Sequence, residues 1–135
     1  MVSPGHLAAD DREAIRELVA RYGHVVDAAD WPALDQVFTA GAVWDATGVG
    51  AERVEGIGAI RAWYAKTAHP LGHHTTNVLI TPLDPDSAEV RSKYIVVLPH
   101  GKAVTGEYRD VAVRTSVGWR FASRAPRRMK KAARG

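Results

Sequence analysis

The stretch GHHTTNVLI, residues 72–80, places His73 and His74 side by side at the start of a run that reads as a strand. Successive strand side chains point to opposite faces, so the two imidazoles cannot serve one ligand together. Alternation groups His74 with Thr76, Val78 and Ile80, and His73 with Thr75, Asn77 and Leu79. His74 is therefore expected on the more apolar, inward face. A carboxylate that could orient it is Asp27, close to the C-terminal end of a helical run, where the helix dipole disfavours an acid. An imidazole held by a carboxylate moves protons near neutral pH. Two readings stand open. The apolar helix face centres near Leu18, Tyr22 and Val26, which leaves Asp27 to one side as a surface acid, whereas a frayed or widened helix end would turn it inward.

Other chemistries find no footing in these residues. The 135 residues include no cysteine, which removes thiolate metal sites, disulfides and cysteine nucleophiles. Zinc spacings such as HExxH are absent, and no metal site is expected. The Gly-x-Gly pieces at 48–50 and 56–58 lack the strand-to-helix context of a phosphate loop, so neither a nucleotide nor any other cofactor is expected. Six basic residues between Arg124 and Arg134 turn a formal net charge of −3 over residues 1–123 into +3 for the whole chain. That basic end has no interleaved aromatics, reads as a solvated terminus, and gives no reason to expect nucleic acid. The N-terminal residues show neither the basic region nor the apolar run of a secretory signal, and no segment has the length of a membrane span; a cytoplasmic location is expected.

Stepping outward from the histidines, the elements that must position them follow from periodicity. Ile15, Leu18, Val19, Tyr22, Val25 and Val26 repeat at three and four within 10–29, an amphipathic helix. Asp30 and Pro32 open a short second helix carrying Leu34, Val37 and Phe38. GAVWDATG reads as a short strand, and Ile57, Ile60 and Tyr64 mark a third helix. The period then becomes two in runs 73–81, 87–98, 103–116 and 118–124, broken by the turn residues PLDPDS, PHGK and SVG. Helices first and an antiparallel meander after them give an α+β fold, with helices packed on one face of a strongly curved sheet. Residues 1–125 are expected to form one domain and 126–135 a basic tail.

The ordered set YGHVVDAADWPALDQVF, HHTTNVLI and GEYRDVAVRTSVGWRFASR resembles the SnoaL-like members of the nuclear transport factor 2-like superfamily over about residues 10–125. The resemblance implies a cone-shaped α+β barrel on a mixed, mostly antiparallel sheet, with a deep apolar pocket. Family activities include those of scytalone dehydratase, bile-acid dehydratase, ketosteroid isomerase and polyketide cyclases. By analogy with the dehydratases, Asp27 and His74 fall on the positions of a helix aspartate and its strand histidine, and Tyr22 matches a tyrosine of the bile-acid dehydratase pattern. His100 falls, with a one-residue gap, near a second histidine of scytalone dehydratase. Gly106 and Tyr108 stand where that enzyme has a serine and an asparagine, which is a departure from its substrate site.

Together these readings predict a cofactor-independent lyase, a dehydratase of a small hydrophobic, cyclic hydroxy-carbonyl compound. Asp27, His74 and Tyr22 are the expected catalytic set. Tyr94, Trp44, Trp63, His100 and Arg124 are expected around the substrate, Arg124 also having a purely structural reading with Tyr108, Asp110 and Arg114. Isomerisation or polyketide cyclisation by the same dyad is the alternative, and a non-catalytic binding or assembly domain is another. A homo-oligomer, dimer or trimer, is expected in each case.

Overall fold

A computed structural model describes residues 6–129. Helix α1 spans Ala9–Asp27 and buries Ile15, Leu18, Val19, Tyr22, Val25 and Val26, the stripe that the three-and-four spacing requires. Asp10 and Asp11 lie in its first turn, where the dipole favours acids. The chain reverses through Ala28 and Ala29, the latter at φ 51°, into a 3-10 helix over Trp31–Gln36 with Pro32 at its start. Strand β1 (Phe38–Asp45) and the short β2 (Arg53–Glu55) follow, then helix α2 (Ile57–Lys66). Four long strands complete the chain: β3 (Gly72–Asp84), β4 (Ser87–Val97), β5 (Ala103–Thr115) and β6 (Gly118–Arg128).

The six strands form one mixed sheet in the order β2-β1-β6-β5-β4-β3. The β3–β6 meander is antiparallel, and β1 runs parallel to β6. The sheet does not close into a barrel: β2 and β3 are its edges. Strand β6 also runs past the expected end of the domain. Its pairing continues through Arg128, and Pro126 is buried, so three residues assigned to the basic tail belong to the sheet. The tail residues from 130 onward lie outside the described residues.

Two irregularities decide which side chains reach the interior. In β3 the pairing register shifts between Thr76 and Leu79, and Asn77 adopts φ 55°, the left-handed region that asparagine tolerates better than most residues. The exposure pattern reverses there: His73 and Thr75 are sheltered before the bulge, Val78 and Ile80 after it. In β6 a shift between the partners of Val111 and Ala112 lets Phe121 and Arg124 both point inward although three positions apart.

The core lies between α1, α2 and the concave face of the sheet, and the other face is polar at its centre. There Glu107 is buried among Arg127 (3.1 Å), Arg109 (3.3 Å), Arg91 (3.4 Å) and Lys93 (3.5 Å). Burial alone would push its carboxyl up; Arg127, Lys93 and Arg91 instead hold it down at about 2. Among the described residues, no helix is long and apolar enough to cross a membrane.

Candidate active site

Asp27 is the last residue of α1, and the first residues of β3 pass beside it. The close approach is made at Gly23, one turn earlier, where an added Cβ would lie 3.3 Å from the His73 carbonyl oxygen and 3.7 Å from its Cβ. With no side chain at Gly23, β3 comes near enough for the carboxylate to take two hydrogen bonds from one residue. The His73 backbone N–H donates to Asp27 Oδ2 at 3.0 Å, and His73 Nδ1 lies 2.6 Å from Asp27 Oδ1. A carboxylate oxygen accepts, so Nδ1 carries the hydrogen and Nε2 is left as the basic nitrogen.

The His73 side chain is only 6% exposed and that of Asp27 29%, which places the imidazole inside and the carboxylate at the rim. Burial lowers the His73 pKa from its ordinary 6.5 and outweighs the opposing pull of Asp27, so the ring is neutral at pH 7.

His73 lines a cavity of ≈ 300 Å³ between the concave sheet and α2. Its walls carry the aromatic rings of Tyr22, Trp44, Trp63, Tyr64, Tyr94 and Tyr108 among aliphatic side chains. Each ring is placed by its element. Tyr22 projects from α1, Trp63 and Tyr64 from α2, Trp44 from β1, and Tyr94 and Tyr108 from neighbouring strands whose rings stand 4.8 Å apart. The Tyr22 ring meets the His73 ring edge to face at 5.8 Å. Its hydroxyl lies 2.6 Å from that of Tyr64, and either oxygen can be the donor. One bond uses one of the two hydrogens, so the pair keeps a second O–H to give to another acceptor. Burial raises both phenols well above 10, which keeps them protonated donors. Tyr94 donates to the Arg127 carbonyl at 3.1 Å, and its ring occupies space that a Cβ on Gly106 would invade.

Beneath Tyr22 and Tyr108 lies an ion pair of the interior. Arg124 and Asp110 are both buried, with Nε 3.7 Å from Oδ1. The guanidinium carbon stands 3.6 Å from the Tyr108 ring centre, 4.1 Å from that of Tyr22 and 4.6 Å from that of Phe121. Among the described residues, none of its nitrogens and neither Asp110 oxygen makes a hydrogen bond. Burial raises Asp110 to about 7 against the pull of Arg124.

The structure rearranges the expected site. It brings Asp27 to His73, whereas the His74 side chain lies on the exposed face, because the bulge at Asn77 reverses the alternation from which its direction was read. Tyr22, Tyr94, Trp44 and Trp63 line the cavity. His100 is in the exposed β4–β5 turn, where its Nδ1 accepts the Lys102 backbone N–H at 3.4 Å, and it is not part of the lining. Arg124 is not in the lining either; it is sealed below the aromatic floor, out of reach of a substrate carboxylate.

Sequence reasoning missed His69 and Tyr64. His69, in the link between α2 and β3, donates from Nε2 to the Tyr64 carbonyl at 2.9 Å and stacks on the Tyr64 ring at 5.0 Å and 14°. Its position five residues after Tyr64, just past a helix end with orphaned carbonyls, was the available signal. Among the described residues, no cluster of three or more His, Asp or Glu could hold a metal ion.

An α+β sheet with helices over one face and an aromatic cavity between them defines a class of small pocket proteins, and the comparisons identify the family within it. The chain belongs to the SnoaL-like family, whose domain model matches residues 8–125. Similar solved structures come from Novosphingobium aromaticivorans. One, provisionally named an aromatic ring hydroxylase, is 31% identical over 92% of each chain with a TM-score of 0.80. Another, described as nuclear transport factor 2-like with a cystatin-like fold, is 28% identical over 92% of this chain and 85% of its own, with a TM-score of 0.79. A third, provisionally named a scytalone dehydratase, is 20% identical over 91% and 89%, with a TM-score of 0.72, and attests the fold. No curated protein matches the sequence.

Proposed function

We propose that this protein is a cofactor-independent lyase, a dehydratase acting on a small hydrophobic, cyclic hydroxy-carbonyl compound. The observation that carries this reading is the double hydrogen bond by which Asp27 holds His73 at the cavity wall. His73 Nε2 takes the proton on the carbon next to the substrate carbonyl, and an enolate forms. The O–H left over from the Tyr22–Tyr64 pair donates to the enolate oxygen in a cavity lined largely by apolar and aromatic side chains. The enolate re-forms the carbonyl as the β-hydroxyl leaves. The imidazolium returns its proton to that hydroxyl, so one water departs and one C=C bond is made. Asp27 steadies the cation and fixes the tautomer throughout. General acid–base transfer supplies roughly 10² to 10⁴ in rate and one oxyanion donor roughly 10² to 10³, enough for an activated β-hydroxy ketone.

The test incubates the protein with a panel of cyclic β-hydroxy ketones and follows loss of water by mass spectrometry. Dehydration by the wild type and none by His73→Gln supports the reading. Rearranged product of unchanged mass would instead support isomerisation through the same dyad. The protein is also proposed to act as a homo-oligomer in the cytoplasm, with exposed Leu79 and Ile95 available for a contact between copies; light scattering that gives a monomer at every concentration would refute the oligomer.

A further inference from the structure

The buried Arg124–Asp110 pair has no part in the dyad, and its placement is unusual. A buried guanidinium and a buried carboxyl ordinarily satisfy their remaining polar atoms with hydrogen bonds. Here five polar atoms make none within the described protein, and the guanidinium presents its face to Tyr108 and Tyr22 instead. A cation against an aromatic face draws electron density from the ring. The Tyr22 ring therefore has a fixed positive charge on its inner side, while its hydroxyl is paired with Tyr64 at the cavity.

We propose that Arg124 is a positioning residue that acts through Tyr22: its guanidinium, balanced by Asp110, sets how strongly the Tyr22–Tyr64 hydroxyl pair donates to a developing oxyanion. This rests on the reading of that pair as the oxyanion donor. The charged and titratable groups around Tyr22 are Arg124, Asp110, Tyr64, Tyr108 and His73. Only Arg124 and Asp110 differ in sign, so their effects on the phenol are opposite. Above about pH 7, where Asp110 is ionised, removing the anion leaves the cation unbalanced and makes the phenol more acidic; removing both charges makes it less acidic than that. A structural role alone would give both substitutions the same kind of effect.

The experiment places a trifluorotyrosine at position 22, brings its titration into reach, and follows it by ¹⁹F NMR. The three backgrounds are wild type, Asp110→Asn, and Asp110→Asn with Arg124→Met. The single variant is expected to titrate lower than wild type, and the double variant higher than the single by about 1 to 3 pH units. Equal titration in all three, or a double variant that titrates at or below the single one, overturns the proposal. If the double variant fails to fold, the near-isosteric Asp110→Asn decides alone: a lower titration supports the proposal and an unchanged one ends it. The readout needs no substrate, so a normal tyrosine response with no dehydration would count against the lyase reading and not against this one.

Discussion

Asp27 accepts two hydrogen bonds from His73 and none from His74, although the two histidines are adjacent. The contact fixes one imidazole by its ring nitrogen and its own backbone, so the carboxylate and the base cannot drift apart independently. Substituting His73 by Gln is expected to lower turnover by about 10² to 10⁴. The same change at His74, on the exposed face, leaves it within about twofold, since the residue makes no hydrogen bond to Asp27 and does not line the cavity. Steady-state rates of the two variants side by side check this, and equal losses would refute the assignment.

The direction of the His73 shift gives a pH profile. The ring is a base only when neutral, and burial lowers its pKa from 6.5, so kcat/KM should rise with pH through a point below 6.5 and then level off. Asp27 pulls the other way, towards the charged form. Asp27→Asn should therefore move the His73 titration lower still while reducing the rate, which NMR of the ring protons would show. An upward move would mean that the carboxylate does not act on this ring.

The order of elements, the α1 stripe and the four long strands were legible because buried faces leave a period of 3.6 or 2 in the chain. The inward histidine was not. Reading back from Val78 and Ile80 to His74 assumes an unbroken period of two, and the left-handed Asn77 inserts one residue into it. Nor does a helical wheel show that Asp27 is engaged, because β3 comes to the helix end and the acid does not have to turn into the core. That approach depends on the missing side chain of Gly23, a tertiary fact. The parallel pairing of β1 with β6 joins residues some 80 apart in sequence and leaves no local pattern.

The buried acid Asp110 makes a stability prediction. Its folded pKa of about 7 lies above the 3.8 of the free carboxyl. A raised folded value means that the folded state holds the proton more tightly. The associated stability is full below 3.8 and is lost as the pH rises through about 7. Asp110→Asn should flatten this slope. Denaturant midpoints measured across that window, in wild type and variant, would show it, and parallel curves would refute it.

Glu107 has the opposite sign. Its folded value of about 2 lies below the ordinary 4.5, so its contribution is full above 4.5 and disappears as the pH falls towards 2. Glu107→Gln removes the charge that gathers Arg91, Lys93, Arg109 and Arg127 and should destabilise the protein by about 1 to 3 kcal/mol at neutral pH. The difference from wild type should shrink in acid, a trend readable from thermal melts.

Gly23→Ala separates stability from site geometry. Alanine in a helix interior is favoured over glycine by roughly 0.5 to 1 kcal/mol. Against that, the new Cβ would sit 3.3 Å from the His73 carbonyl oxygen, a backbone atom at the start of an edge strand that has to give by a few tenths of an ångström. Edge strands yield more easily than central ones, so the two contributions should nearly cancel in global stability. The displacement falls on the residue whose backbone N–H and ring both reach Asp27. The variant is thus expected to melt within a few degrees of wild type, while its His73 titration moves towards that of Asp27→Asn and its turnover drops. A variant with unchanged stability and an unchanged His73 titration would show that the dyad tolerates the wider spacing, and that Gly23 is not what brings the strand to the acid.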